Sequence, residues 1–216
     1  MVRKFSSQLF VVGAIAFFCA TGASLAEPLG PSSGFLASYV GPQNGDLDIA
    51  SGEAFLKGGR FEFDATFTAD IGTTDGVAYV WGVDRGSNIA PFGVFRPGVL
   101  FDAVVIYDPS LSLFFTLDLL TSAMTALPLT DAVISGGTLT LTVPTSVLPS
   151  TGFSPDEYLV NLWPRFGLDA SDNTQIAQFA PSDSDVAVTN APEPSTVLLL
   201  GTGLLALGKR YRKSTG

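Results

Sequence analysis

The sequence predicts an all-β fold, an antiparallel β-sandwich of the jelly-roll type, for the part of the 216-residue chain between its two apolar ends. Apolar residues recur there at every second position, and glycine and proline interrupt the chain at short intervals. No stretch of helical period reaches about ten residues in this part. Eight or more short strands, separated by turns and without helices between them, favour two packed sheets.

Two stretches show the strand pattern most clearly. In residues 61–68 every second side chain is Phe or Ala, and the side chains between them are Glu, Asp or Thr. Such a strand would have one face in a core and one in water. Residues 138–143 alternate Thr with Leu or Val, and Gly58-Gly59 and Gly136-Gly137 are typical of tight turns. Further strands are predicted at residues 77–84, 99–107, 113–120 and 158–163.

The N-terminal 26 residues are typical of a secretory signal peptide. Arg3 and Lys4 precede an apolar stretch at residues 9–20, and Ser24 and Ala26 form a small-x-small cleavage site. The single cysteine, Cys19, lies in this piece, so we expect the mature chain to have no disulfide. The predicted organisation is a signal peptide at 1–26, a β-sandwich domain at 27–170, a flexible spacer at 171–191 and a sorting signal at 192–216.

The composition of the mature part excludes several function classes. Residues 27–191 hold 19 acidic residues against five cations, a net charge of −14, which repels nucleic acid. The chain has no histidine, so Ser-His-Asp and Cys-His catalysis and the usual zinc sites are excluded. We therefore expect a protein that is not an enzyme. A carboxylate-based glycosidase using Asp156 and Glu157 is a less favoured alternative, because sequence neighbours rarely face each other across roughly 5–9 Å.

Aromatic residues are the first candidate binding residues. Tyr79 and Trp81 share one face of a predicted strand, and Trp163 ends another. They either build the core or form a platform on which a sugar ring stacks. The stretches around Trp81, Phe101 and Trp163 resemble sandwich domains of the carbohydrate-binding and DOMON-like kind, and this resemblance implies a polysaccharide as a possible partner.

Aspartates at predicted strand ends are the second set of candidates. Ca²⁺ is bound by several carboxylate and carbonyl oxygens, and loops could bring such residues together. No spacing matches a known calcium loop, so the alternative is that these are turn and surface residues. The candidate ligands are Asp46, Asp48, Asp75, Asp84 and Asp102.

The C-terminal residues give the most specific signal. Pro192-Glu193-Pro194 is followed by an apolar run, predicted as a transmembrane helix at about 195–208, and then by four cations at 209–213. This order resembles the PEP-CTERM sorting signal of exported bacterial proteins. The resemblance implies processing by an exosortase, a membrane enzyme, with Pro192, Glu193 and Pro194 as its recognition residues.

These observations predict an exported protein, anchored in the inner membrane before processing and then placed at the cell surface or in the extracellular matrix. The sandwich would have a non-catalytic structural or adhesive role. The alternative is a carbohydrate-binding module with exposed aromatic residues and Ca²⁺ as a structural ion.

Overall fold

The computed structural model of the protein describes residues 28–191. The predicted signal peptide, the Pro-Glu-Pro motif and the predicted transmembrane helix lie outside the described residues. Two β-sheets pack face to face, and the described part contains no α-helix, only short 3-10 turns. The predicted all-β class with two sheets is confirmed.

The first sheet has five strands in the order β11-β1-β2-β8-β7. All its pairs are antiparallel except the short parallel pair of β1 with β11. The strands are β1 (Ile49–Lys57), β2 (Arg60–Phe67), β7 (Ala132–Ser135), β8 (Thr138–Pro144) and β11 (Thr189–Asn190).

The second sheet has six antiparallel strands in the order β10-β9-β3-β4-β5-β6. They are β3 (Val77–Asp84), β4 (Ala103–Asp108), β5 (Leu113–Asp118), β6 (Met124–Ala126), β9 (Leu159–Phe166) and β10 (Val186–Ala187). Strands β3 to β6 follow one another within this sheet. The connectivity therefore differs from the predicted jelly roll, in which successive strands mostly alternate between two sheets.

Aromatic side chains from facing strands fill the space between the sheets. Phe63 of β2 lies 5.2 Å from the ring centre of Trp81, and Phe67 lies 4.9 Å from that of Tyr79. The alternation in β2 arises because its other side chains point to the outer face of the five-stranded sheet. At the turn into β2 both Gly58 and Gly59 have positive φ, as the predicted two-residue hairpin requires.

Strand β3 is buried on both faces along its whole length. Its inner face packs on the five-stranded sheet. Its outer face is covered by residues 85–102 and by residues 176–185, and we call these two segments together the cover. Phe92 from the first segment lies 5.2 Å from the ring centres of both Trp163 and Phe179.

The predicted flexible spacer at 171–191 does not match the packing. Residues 176–180 are almost completely buried, and Gln178 accepts a hydrogen bond from the Ile49 N–H and donates one to Asp48. Residues 186–190 add a short edge strand to each sheet. The many Ser, Asp and Pro residues of this stretch suggested a linker, but Ile176, Phe179 and Val188 anchor it in the core.

Replacing Phe179 with alanine tests this correction. If residues 171–191 belong to the domain, Phe179→Ala should lower the free energy of unfolding by about 3–5 kcal/mol, because it empties a fully buried aromatic site. Urea unfolding followed by tryptophan fluorescence measures the change. Ser184→Ala, at an exposed position of the same stretch, is the control and should have little effect. If both variants changed the free energy of unfolding by a similar, small amount, a flexible spacer at 171–191 would be supported.

Candidate functional site

A cleft of about 470 Å³ opens on the outer face of the six-stranded sheet, beside the cover. Its floor comes from four neighbouring strands. Val80 of β3 lies opposite both Ile106 and Trp163, and Ile106 lies opposite Phe115. Period-2 alternation places these side chains on the same face. The floor is therefore a continuous apolar surface.

The walls of the cleft are also mainly apolar. Phe92 and Phe101 of the cover form one side, and Leu119, 37% exposed, lies at the rim. Residues 168–173 form part of the opposite side, where Ser171 and Asn173 add polar groups. An apolar cleft of this size with few polar groups is the usual form of a small-molecule site.

Arg165 is the one charged side chain that lines this cleft. The residue is only 7% exposed and makes no salt bridge among the described residues. One terminal nitrogen donates to the Gln175 side chain at 2.9 Å and to the Asp169 carbonyl, while the buried Nε has no acceptor. Burial lowers the pKa of Arg165, and the charges of Asp169 and Asp172 oppose this shift. The wall of the cleft thus carries a cation that forms no salt bridge within residues 28–191.

The three aromatic residues proposed for sugar stacking are buried. Tyr79 and Trp81 face the inner core and have no exposed surface. Trp163 lines the cleft but is only 3% exposed, because Phe101 and Phe92 pack against its ring. Tyr79 and Trp81 are therefore core residues, and none of the three offers an open ring face.

The predicted calcium ligands do not form one site. Asp46 lies near Thr74, before β3, and accepts hydrogen bonds from the Thr74 N–H and the Tyr79 hydroxyl. Asp48 is bonded to Gln178 and Thr68, and Asp75 is exposed. Asp84 and Asp102 lie at the other end of β3, roughly 23 Å away for an eight-residue strand. Among residues 28–191 no three Asp, Glu, His or Cys side chains are grouped to hold a metal.

Asp102 belongs to a buried ion pair instead. The Arg85 Nε donates to Asp102 Oδ1 at 2.6 Å, and a terminal nitrogen donates to Asp118 at 2.7 Å. The other Asp102 oxygen accepts from the Thr151 hydroxyl at 2.6 Å. Arg85 and Asp102 are completely buried. Because these two residues begin and end the first segment of the cover, their pairing closes that loop.

Asp84 lies beside two residues that the sequence did not single out, Asn161 and Asp185. Asp84 Oδ2, Asn161 Oδ1 and Asp185 Oδ1 are all buried and have no hydrogen-bond partner among residues 28–191. Burial raises the pKa of Asp185 to about 7, and the charge of Asp84 contributes to the rise, while the Leu100 N–H opposes it. We call these three residues the acidic corner. Sequence reasoning missed it because its members are about 24 to 101 positions apart and come together only through strand pairing.

The carboxylates of the glycosidase alternative do not flank a cleft. Asp156 and Glu157 are exposed and both accept a hydrogen bond from the Ser154 hydroxyl, at 2.6 Å and 2.7 Å. Glu157 also accepts a hydrogen bond from the Ser154 N–H, and these two residues form the capping box of a short 3-10 turn. The bonds from Ser154 lower the pKa of both groups. Their arrangement is that of a turn.

Comparison with known protein families identifies the C-terminal signal. Residues 190–213 match the PEP-CTERM protein-sorting motif. The chain therefore carries the predicted sorting signal, and the match supports export through exosortase sorting. Pro192, Glu193 and Pro194 fall within the matched residues. No curated protein and no solved structure matches the chain, so the resemblance of the sandwich to carbohydrate-binding and DOMON-like domains stays a prediction.

Within residues 28–191 we find no helix with the length and apolar character needed to cross a membrane. The predicted helix at about 195–208 lies outside this range.

Substitution of Arg85 should reveal the strength of the buried ion pair. Arg85→Met leaves Asp102 buried without its cation, and we expect the free energy of unfolding to fall by about 3–5 kcal/mol. The matched control is Arg60→Met, since Arg60 is half exposed and pairs with Asp131 at 3.7 Å. Arg60→Met should lower the free energy of unfolding by less than about 1 kcal/mol. Urea unfolding measures both, and similar losses would contradict a structural role for the Arg85 pair.

The acidic corner should make stability depend on pH. An aspartate has a pKa of about 3.9 in an unfolded chain, so between about pH 4 and pH 7 folded Asp185 keeps a proton that the unfolded state has released. Its contribution to the free energy of unfolding is therefore largest below about pH 4 and is lost by about pH 7.

Urea unfolding across this pH range, in buffer with a metal chelator, tests the dependence. Asp185→Asn should remove the part of the pH dependence of the unfolding free energy that Asp185 causes. Asp183→Asn should keep it, because Asp183 lies in the same loop with 77% of its side chain exposed. If the Asp185→Asn variant kept the full wild-type slope, the raised pKa would be wrong.

Proposed function

We propose that this chain is an exported surface or extracellular-matrix protein whose β-sandwich has a non-catalytic, adhesive role, and that it binds its partner through the cleft on the six-stranded sheet. Export rests on the sorting motif at residues 190–213. The observation that carries the binding role is the apolar cleft of about 470 Å³ with the cation of Arg165 at its wall. Before processing the protein is anchored in the inner membrane, and afterwards it lies at the cell surface or outside the cell.

The chemistry of the cleft favours an amphiphilic ligand with an aliphatic chain and a carbonyl or carboxyl head. The floor residues Val80, Ile106 and Phe115 offer dispersion contacts and no hydrogen bonds. Arg165 forms no salt bridge within residues 28–191, and a carboxyl head in the cleft would be attracted by its positive charge. A lipid of the cell envelope or the matrix has both parts.

Carbohydrate binding is the alternative function, and one observation still favours it. Trp163 lines the cleft together with Phe92, so a sugar that displaced part of the cover could contact aromatic rings. Its weakness is the small number of polar side chains, since a sugar needs hydrogen-bond partners for its hydroxyl groups.

Binding of a fluorescent fatty-acid analogue to the segment 28–191 tests the proposal, after circular dichroism has shown that the segment unfolds cooperatively. Leu119→Asp places a charge at the rim and should weaken binding about tenfold or more. The matched control is Leu111→Asp, at a 60% exposed leucine outside the cleft, which should leave affinity unchanged. Arg165→Met removes the cation, and should weaken binding of the carboxyl-headed probe.

A glycan array with the same segment separates the two functions. The proposed lipid binding is supported if the segment binds the lipid probe, if Leu119→Asp weakens this binding, and if no glycan on the array is bound. If the segment binds a glycan but not the lipid probe, and Leu119→Asp abolishes the glycan binding, the carbohydrate function would replace the proposed lipid binding. No binding in either assay would leave the sandwich with a purely structural role and overturn the proposed adhesive one.

A further inference from the structure

We propose that Asp84, Asn161 and Asp185 form a site for one hard divalent cation, best suited to Ca²⁺, beneath the two segments of the cover. The site differs from the predicted calcium ligands, of which it keeps only Asp84. It is independent of the lipid-binding function proposed for the cleft.

Strand pairing brings the three residues together. In the order β10-β9-β3, Asn161 of β9 lies opposite Gly82 of β3, and Asp84 is two residues further along on the same face. The first residue of β10, Val186, pairs with Val160, so Asp185 reaches the sheet next to Asn161. Three neighbouring strands therefore each contribute one oxygen-bearing side chain to the same face.

In each of the two carboxylates, backbone N–H groups bond to one oxygen and leave the other oxygen free. Asp84 Oδ1 accepts from the N–H groups of Gly86 and Asn88 at 3.0 and 3.1 Å. Asp185 Oδ2 accepts from the Leu100 N–H at 2.8 Å. The other oxygen of each carboxylate is buried and has no donor.

The Asn161 amide favours a cation over a shared proton as the group that contacts both carboxylates. Its side-chain nitrogen donates to the carbonyl oxygens of Pro181 and Ser184 at 2.9 and 2.7 Å. This fixes the amide, and the completely buried Oδ1 remains without a donor. One proton shared between Asp84 and Asp185 could satisfy only those two carboxylates, whereas a metal ion can contact all three oxygens at once.

The donor set favours Ca²⁺ among hard cations. Two carboxylates match the charge of a divalent ion, and an amide oxygen is a common neutral ligand of Ca²⁺. The free oxygens are buried, so the ion must lose most of its water, which Mg²⁺ does reluctantly. With only two carboxylates we expect an affinity in the range of extracellular calcium modules, a Kd of about 10⁻⁴–10⁻³ M.

Such an ion would tie the cover to the sheet. Asp185 and the carbonyls held by Asn161 belong to the second segment of the cover, while Leu100 belongs to the first. Asp84 is the last residue of β3, where the first segment begins. A cation bound here therefore joins both segments to β3 and stabilises only the folded state.

The test is thermal unfolding of the full-length chain in detergent, with Ca²⁺ or with chelator. At about ten times Kd, Ca²⁺ should raise Tm by about 3–6 °C, and Mg²⁺ at the same concentration should raise it less. Asp185→Asn should abolish the calcium effect. In chelator this variant should be at least as stable as the wild type, because it removes the repulsion between two buried carboxylates. Asp183→Asn, with the same change of charge at an exposed position of the same loop, should respond to Ca²⁺ like the wild type.

Equilibrium dialysis of the wild-type chain with radioactive calcium gives a readout that does not depend on the folding of a variant. One ion bound per chain, lost in Asp185→Asn and retained in Asp183→Asn, supports the site. If the wild type bound no Ca²⁺ at about 10 mM, or if both variants lost binding equally, the proposed site would be wrong.

Discussion

The structure depends on the requirement that β3 bury both of its faces. A strand in a two-layer sandwich normally has one face in the core and one in water, but every residue of β3 is buried. Its outer face presents Val80 and Gly82, and the neighbouring strands add Ile106 and Trp163. Leaving this apolar surface in water would cost about 25 cal/mol for each Å². The chain therefore needs a third layer on this side, and the cover supplies it.

Polar and steric features that are separate in sequence hold this layer in place. Arg85 and Asp102 pair at the two ends of residues 85–102, so the loop is closed by a buried ion pair. Gly82 allows the Trp163 ring to lie directly on β3, because a Cβ at this position would lie 2.6 Å from that ring. Gln178 then links the second segment to the edge of the other sheet. The apolar surface explains why a cover is needed, and these contacts determine where it sits.

Local patterns predicted six of the eleven strands, whereas contacts between distant residues could not be predicted from them. Alternation fixed β2 and β8, and the bounds predicted for β3 match the structure. The same alternation placed Tyr79 and Trp81 on one face but could not reveal that Phe67 and Phe63 of the other sheet face them. The cover has no periodic pattern, and the polar composition of 171–191 concealed Phe179. The acidic corner likewise depends on the pairing of three strands.

The end of the cover also changes the relation between the domain and its sorting signal. The sequence predicted about 20 flexible residues between them, but β11 (Thr189–Asn190) pairs with β1, and the Ala191 N–H donates to the Leu56 carbonyl. The sorting motif begins at residue 190, so its first residue, Asn190, belongs to an edge strand of the folded sandwich. A processing enzyme that acts close to Pro192 must therefore approach the folded sheet edge itself.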